Sequence, residues 1–295
     1  MQAKISTLRD ALAWGRSYLK SCTIENPFLD AEVLLAHVTG LDRAGLYRED
    51  GRELTPAQAR AYQNLVKRRA RREPVAYLTG EKEFFGLSFR VNPSVLIPRP
   101  ETELLVETAV LLGKEFASSG GGRVLFAEAG TGSGAVAVSL AKLFPPAFVY
   151  ATDISAPALE VARENAGRHG VRGRIVFLEG DLLTPLFSFG LAGRINIVAA
   201  NLPYVPAAAL ETLAADVRLY EPLAALDGGP DGLSLYRRLI PQAQQLLSVP
   251  GYLLAEIGPG QAEDFLRLLA EEGSWEAGVL FDYGGRERVV RAKTC

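Results

Sequence analysis

Apolar positions recur at three- and four-residue intervals from the start of the chain to about residue 80, and this stretch holds no strand pattern. Ile5, Leu8, Leu12 and Trp14 open a first amphipathic helix, capped by Thr7 or Ser6. Phe28, Leu29, Val33, Leu34, Leu35 and Val38 form a second, entered through Asn26-Pro27 and stopped at Gly40. A short third follows near 44–47. Thr55-Pro56 starts a fourth, which carries Leu65 and Val66 and ends in the basic run Lys67, Arg68, Arg69, Arg71 and Arg72. Cations at a helix C-terminus are favourable in themselves. That reading is preferred to an RNA contact. Residues 1–80 therefore read as a small all-α docking domain.

The period then changes to two. Phe85, Leu87, Phe89 and Val91 alternate with Gly86, Ser88 and Arg90. Asn92-Pro93-Ser94 reads as a turn and 95–97 as a second strand, which makes 81–97 a β-hairpin linker. Pro98-Arg99-Pro100-Glu101-Thr102-Glu103 suits a helix start, and the helix continues through Leu112. Ser118-Ser119-Gly120-Gly121-Gly122 is a loop. Strand and helix patterns alternate from there. Strands are predicted at 124–127, 148–152, 174–178, 195–200 and 252–256. Helices are predicted at 135–144, 157–168, 234–247 and 261–271. The segments 277–281 and 288–291 pair as a hairpin about Gly284-Gly285. This alternation predicts an α/β fold, a doubly wound and mostly parallel sheet, over 98–295.

Composition narrows the class. The chain has 295 residues, 48% hydrophobic and 22% charged, with a net charge of −2. That suits a soluble globular protein and argues against a dominant phosphate-binding role, so no direct nucleic-acid partner is expected. The 2 cysteines, Cys22 and Cys295, make no disulfide framework and point to a reducing, cytoplasmic setting. No apolar run reaches a membrane span, and Asp10 in an amphipathic N-terminus does not suit a signal peptide. His37 and His169 lie far apart, so neither a metal cluster nor a histidine-based triad is expected.

The candidate chemistry sits at Asn201-Leu202-Pro203-Tyr204, which follows the β-branched run 195–200. Ligands of open α/β sheets bind at the carboxyl ends of the strands. A side-chain amide, a backbone carbonyl and an aromatic ring are thus placed together. Pro203 fixes its own φ and biases Leu202 towards an extended conformation, which aims the Leu202 carbonyl. An –NH2 group with a delocalised lone pair is a poor nucleophile. Two acceptors, Asn201 Oδ1 and the Leu202 carbonyl, orient it and localise that lone pair, while Tyr204 covers a planar group by stacking. No general base is needed, because an N-alkylated amide cation loses its proton to water.

Glu128-Ala129-Gly130-Thr131-Gly132-Ser133-Gly134 is a Gly-rich turn that lets the backbone approach a ligand. Its spacing also satisfies the loose dinucleotide pattern, and Asp153 suits a ribose diol in either case. Two features favour S-adenosylmethionine (SAM) over NAD. Glu128 opposes a pyrophosphate but accepts from an ammonium, and Asp181 with Asn201 continues the row of polar groups. Asp181 suits an adenine amino group. Helix capping is the alternative role for Asp153 and Asp181, and ligand contact is preferred.

These residues resemble an amino-group SAM methyltransferase of the class I fold. Gly80-Glu81-Lys82-Glu83-Phe84-Phe85-Gly86-Leu87, Leu96-Ile97-Pro98-Arg99-Pro100-Glu101-Thr102-Glu103 and Leu226-Asp227-Gly228-Gly229-Pro230-Asp231-Gly232-Leu233-Ser234-Leu235-Tyr236-Arg237 narrow it further. Together they resemble the peptide chain release factor glutamine methyltransferases, the HemK/PrmC family, over nearly the whole chain. The resemblance implies a seven-stranded sheet with its last strand antiparallel. It implies methyl transfer from SAM to the side-chain nitrogen of the glutamine in the Gly-Gly-Gln motif of class 1 release factors. By that resemblance Gly130, Thr131, Gly132, Ser133, Gly134 and Asp153 hold SAM, and Leu182 lies beside the adenine. Asn201 to Tyr204 hold the glutamine amide, and the N-terminal domain grips the factor. Two positions depart from the pattern. Leu202 stands where the family has proline, and Glu128-Ala129-Gly130 where it has Asp-Leu-Gly. Asn-Leu-Pro-Tyr also resembles rRNA adenine dimethyltransferases. An adenine amino group, a ribosomal-protein glutamine and a non-catalytic docking role therefore stand as alternatives.

Overall fold

The computed structural model describes residues 5–119 and 122–295. Gly120 and Gly121 of the expected 118–122 loop lie outside the described residues. The chain divides into two compact units. The first runs to Glu81 and takes in Ala214–Tyr220; the second is Lys82–Leu213 with Glu221–Cys295.

The first unit is helical: α1 (Leu8–Ser21), α2 (Pro27–Thr39), α3 (Arg43–Arg48), α4 (Pro56–Ala70) and α5 (Val75–Thr79). Thr7 caps α1 in a capping box with Asp10, and Thr55 caps α4 in another with Gln58. Leu8, Leu19, Leu34, Leu35, Leu46, Tyr62 and Val66 form its core. At five residues, α5 is too short for periodicity to reveal. The basic run at the end of α4 is partly structural. Arg69 is 8% exposed and donates from Nε to Asp30 Oδ2 at 2.7 Å and from Nη1 to the Glu73 carbonyl at 3.2 Å. Arg68 pairs with Glu73. Arg69→Ala leaves the buried Asp30 carboxylate without its cation, so it is expected to destabilise this unit by about 3 kcal/mol. Urea unfolding of the full chain measures this, and a loss below about 1 kcal/mol refutes it.

The second unit opens with a hairpin, β1 (Glu81–Phe84) and β2 (Leu87–Arg90). Its turn is Phe85-Gly86, not Asn92-Pro93-Ser94. Phe85 and Gly86 both have positive φ, 54° and 69°, as a two-residue hairpin turn requires. Residues 95–97 are irregular rather than a strand, and the Ile97 N–H donates to Glu221 at 3.1 Å. There follow α6 (Glu103–Ser118), β3 (Val124–Ala129), α7 (Ala135–Leu143), β4 (Ala147–Asp153), α8 (Ala156–Arg168), β5 (Ile175–Glu179) and β6 (Ile195–Ala200). After β6 come α9 (Ala215–Tyr220), α10 (Ser234–Leu246), β7 (Leu247–Glu256), α11 (Ala262–Glu272), β8 (Trp275–Phe281) and β9 (Glu287–Thr294). Of these, α9 belongs to the first unit, where the Tyr220 hydroxyl donates to the Arg71 carbonyl at 2.8 Å.

The seven strands lie in the order β5-β4-β3-β6-β7-β9-β8. They are parallel through β7, and β9 runs antiparallel to both neighbours. The chain steps outward from β3 through β4 to β5, then returns to β6 on the other side of β3. The switch point of the sheet therefore falls between β3 and β6, where a ligand crevice is expected. Glu128 and Ala129 are the last residues of β3, paired with Ala199 and Ala200 of β6, and not part of the turn as the sequence suggests. Ladder pairing extends the strand two residues past its apolar run.

Candidate active site at the switch point

A cavity of about 420 Å³ opens at the carboxyl ends of β3 and β6. Gly130, Thr131, Gly132, Ser133, Asp153, Asp181, Leu182, Asn201, Leu202 and Pro203 all line it. Gly134 and Tyr204 are not among its lining residues. Gly134 precedes α7 and lies against α8, where an added Cβ would meet Ala162 at 3.0 Å.

The Gly-rich turn is held from within. The Gly130 and Thr131 N–H groups both donate to the Thr152 carbonyl at 2.9 Å, and the Gly132 N–H donates to Asp153 Oδ2 at 2.8 Å. These amides are taken, so the turn offers no nest of donors to a pyrophosphate. It leaves two carboxylates on the cavity wall, Glu128 and Asp153. These two acceptors fit the ammonium and ribose of SAM, and Glu128 opposes a pyrophosphate. At Gly132 a Cβ would meet nothing within 4 Å, so the cradle is open on the ligand side. At Gly130, φ is +74° and a Cβ would lie 3.0 Å from Leu202 Cδ2. The absent side chain lets Leu202 pack under the turn, which ties the cofactor wall to the Asn201 segment.

Glu128 is 3% exposed, and its Oε2 accepts from Thr131 Oγ1 at 2.7 Å and from the Ala137 N–H at 3.1 Å. Burial pushes its carboxyl up to about 7 against these two bonds. Burial likewise raises Asp153. An acid raised in the folded state stabilises the fold while protonated. Glu128's contribution is thus complete below its ordinary 4.5 and is lost as pH climbs to about 7. Glu128→Gln removes that loss. The melting temperature of the variant relative to the parent is expected to rise across this window and stay level outside it. A pH series by scanning calorimetry on ligand-free protein checks this, and a level difference throughout refutes it.

Asp181, expected opposite the adenine amino group, pairs with Arg238 of α10, which also lines the cavity. Leu182 beside it is 7% exposed and takes a φ of 49°.

Asn201 Nδ2 donates to Thr102 Oγ1 at 3.0 Å. The Leu202 N–H donates to the Tyr236 hydroxyl at 3.3 Å, and that hydroxyl donates in turn to the Glu256 carbonyl. Tyr236 is fully buried, and burial raises its hydroxyl far above the ordinary value. Gln261 Nε2 donates to the Tyr204 carbonyl at 2.9 Å. The Val205 N–H donates to the Leu226 carbonyl, and the Gly228 N–H to the Val205 carbonyl. A Cβ on Gly228 would lie 2.7 Å from the Pro203 carbonyl. The Leu226-to-Gly232 loop is therefore the brace behind Asn201-Leu202-Pro203-Tyr204. Arg99, on the cavity wall, pairs with the buried Glu221. Sequence reasoning missed Thr102, Glu221, Tyr236, Glu256 and Gln261 as parts of the site. The one available signal was that two of them, Thr102 and Tyr236, lie in the motifs at 96–103 and 226–237.

A parallel sheet that switches direction at a Gly-rich turn, with carboxylates in place of phosphate donors, defines a class I methyltransferase that draws its methyl group from SAM. Two family models match: the PrmC N-terminal domain over residues 10–80 and a methyltransferase domain over 126–220. A release factor glutamine methyltransferase of Geobacter sulfurreducens is 43% identical, covering 97% of this chain and 96% of its own. One of Moorella thermoacetica is 46% identical, covering 97% and 98%. The chain belongs to the release factor glutamine methyltransferase family. Among solved structures, the hMettl16 catalytic domain in complex with an untranslated-region hairpin is similar with a TM-score of 0.56 at 14% identity, covering 82% of this chain and 84% of that one, and shows the fold alone.

Proposed function

We propose that this protein transfers a methyl group from SAM to the side-chain nitrogen, N5, of the glutamine in the Gly-Gly-Gln motif of class 1 peptide chain release factors, in the cytoplasm. The observation that carries the reading is the Asn201 amide. Its nitrogen is anchored on Thr102 in the cavity lined by the SAM residues, so Oδ1 is left as an acceptor for a substrate –NH2. Gly130 to Ser133 and Asp153 hold SAM, with Leu182 beside the adenine and Glu128 towards the ammonium. When bound, SAM would supply an electrophilic methyl carbon for the amide nitrogen, with its sulfur as the leaving group. Asn201 Oδ1 and the Leu202 carbonyl accept the two N–H bonds of the glutamine and point its lone pair along the line of displacement. Pro203 keeps the Leu202 carbonyl aimed, and Tyr204, which does not line the cavity, anchors the segment through the bond its carbonyl accepts from Gln261. The N-methylated amide cation releases its proton to water, so no side chain serves as base.

The helical residues 1–80 dock the factor, and 81–97 link them to the methyltransferase domain, 98–295. No helix among the described residues is long and apolar enough to cross a membrane.

The test incubates the protein with methyl-labelled SAM and three acceptors: a class 1 release factor, the same factor with Gly-Gly-Ala, and total RNA. Label in the first alone is expected. Label in RNA transfers the assignment to an adenine amino group, and label in both factors removes the motif glutamine as the target.

A further inference from the structure

Asn201 has two chemically opposite ends. Only Oδ1 accepts the N–H of a substrate amide; Nδ2 turned outward would set donors against donors. Something must fix which end faces the cavity. Thr102 stands at the N-cap position of α6 yet makes no capping bond with its side chain. It is 4% exposed, and its hydroxyl receives Asn201 Nδ2 instead, at 3.0 Å. A hydroxyl can give one proton and accept others. If Thr102 gave its proton to Asn201, the amide would be held in the wrong sense.

The neighbour that removes this ambiguity is Glu256, the last residue of β7, 1% exposed and beside β6 in the sheet. Its carboxyl has the hydroxyls of Thr102 and Tyr204 and the Arg288 guanidinium as polar neighbours. Its Oε2 has no hydrogen-bond partner among the described residues. A buried carboxyl in hydrogen-bonding range of the Thr102 hydroxyl, with one oxygen still unpartnered, draws that proton away from Asn201. We propose that Thr102 and Glu256 are positioning residues for the methyl acceptor: Glu256 takes the Thr102 proton, Thr102 therefore accepts from Asn201 Nδ2, and Asn201 Oδ1 is fixed towards the substrate amide. The inference rests on the glutamine reading above.

The arrangement has a pH signature. Burial pushes the Glu256 carboxyl up to about 7, against the Thr102 hydroxyl, Arg288 of β9 and the Tyr204 hydroxyl; Glu101, in the turn before α6, pushes it further up. Tyr236 of α10 is a further titratable neighbour. Protonated Glu256 no longer draws the Thr102 proton, so the rate at saturating substrates rises as pH passes through 7.

The experiment measures kcat, KM for a release factor and SAM affinity. Thr102→Val is expected to lower kcat about ten- to a hundredfold, as loss of orientation does, with SAM affinity within about twofold. Thr102→Ser keeps the hydroxyl and recovers most of the rate. Glu256→Gln flattens the rise in kcat between pH 6 and 8, and this profile decides the matter even if Thr102→Val fails to fold. A Thr102→Val enzyme with parental kcat, a Thr102→Ser enzyme no better than Thr102→Val, or an unchanged pH profile in Glu256→Gln overturns the inference. Absence of glutamine methylation by the parent protein would instead overturn the functional reading beneath it.

Discussion

Asn201→Ala is expected to lower the methylation rate of a release factor by about 10²- to 10³-fold, with calorimetric SAM binding weakened only severalfold. The magnitude is that of removing one preorganised hydrogen-bonding group aimed at the charge that develops in the transition state, about 3 kcal/mol. A carboxamide nitrogen shares its lone pair with the carbonyl, and attack on the methyl carbon requires that lone pair to localise. With Asn201 gone, the Leu202 carbonyl alone orients the –NH2 group, which then rotates out of line. The residues proposed to hold SAM, Gly130 to Ser133 and Asp153, belong to the turn between β3 and α7 and to the end of β4, and the substitution leaves them in place. The loss should therefore fall on kcat. Single-turnover methylation at saturating SAM reads it directly, and activity near the parental value would remove Asn201 from the mechanism.

The parts of this site that were legible in the sequence are those encoded by neighbours in the chain. The run Ile195–Ala200 is apolar but for Asn196 and carries three β-branched residues, and it ends as a strand where Asn201 begins. The strand-to-helix turn at Gly130 to Gly134 is equally local. What stayed hidden is what supports those residues from a distance. Thr102 meets Asn201 across 99 positions, and Tyr236 meets Leu202 across 34. Neither pairing leaves a periodicity, because a single buried hydroxyl reads the same in a core as in a site. Local chemistry also misled once: Asn92-Pro93-Ser94 carries stronger turn residues than Phe85-Gly86, yet the hairpin closes at the latter. The backbone there pays the strain of a positive φ at Phe85 because Phe84 and Phe89 then stack edge to face at 6.0 Å in the core. Asp181 shows the same limit for charge, since its partner Arg238 comes from a helix 57 residues away.

The Leu226-to-Gly232 loop gives the other large effect. Gly232→Ala is expected to reduce kcat at least about tenfold and to destabilise the protein by about 2 kcal/mol. At φ +82° an alanine is strained by its backbone alone, and its Cβ would also overlap the Tyr204 carbonyl and Gln261 Nε2. Those two atoms bond each other at 2.9 Å, and Gln261 also bonds the Asp231 carbonyl, so none of the three can yield separately. The displacement passes to Pro203 and Tyr204, hence to the direction of the Leu202 carbonyl. Gly285→Ala separates contact from strain. Its φ is +73°, it lies in the β8–β9 hairpin, and a Cβ there meets nothing within 4 Å. It should cost about 1 kcal/mol of stability and leave kcat at the parental value. If both substitutions destabilise alike and both retain full activity, the loop is merely a connection. If only Gly232→Ala loses kcat, the Leu226-to-Gly232 loop is the brace that keeps the methyl acceptor aimed.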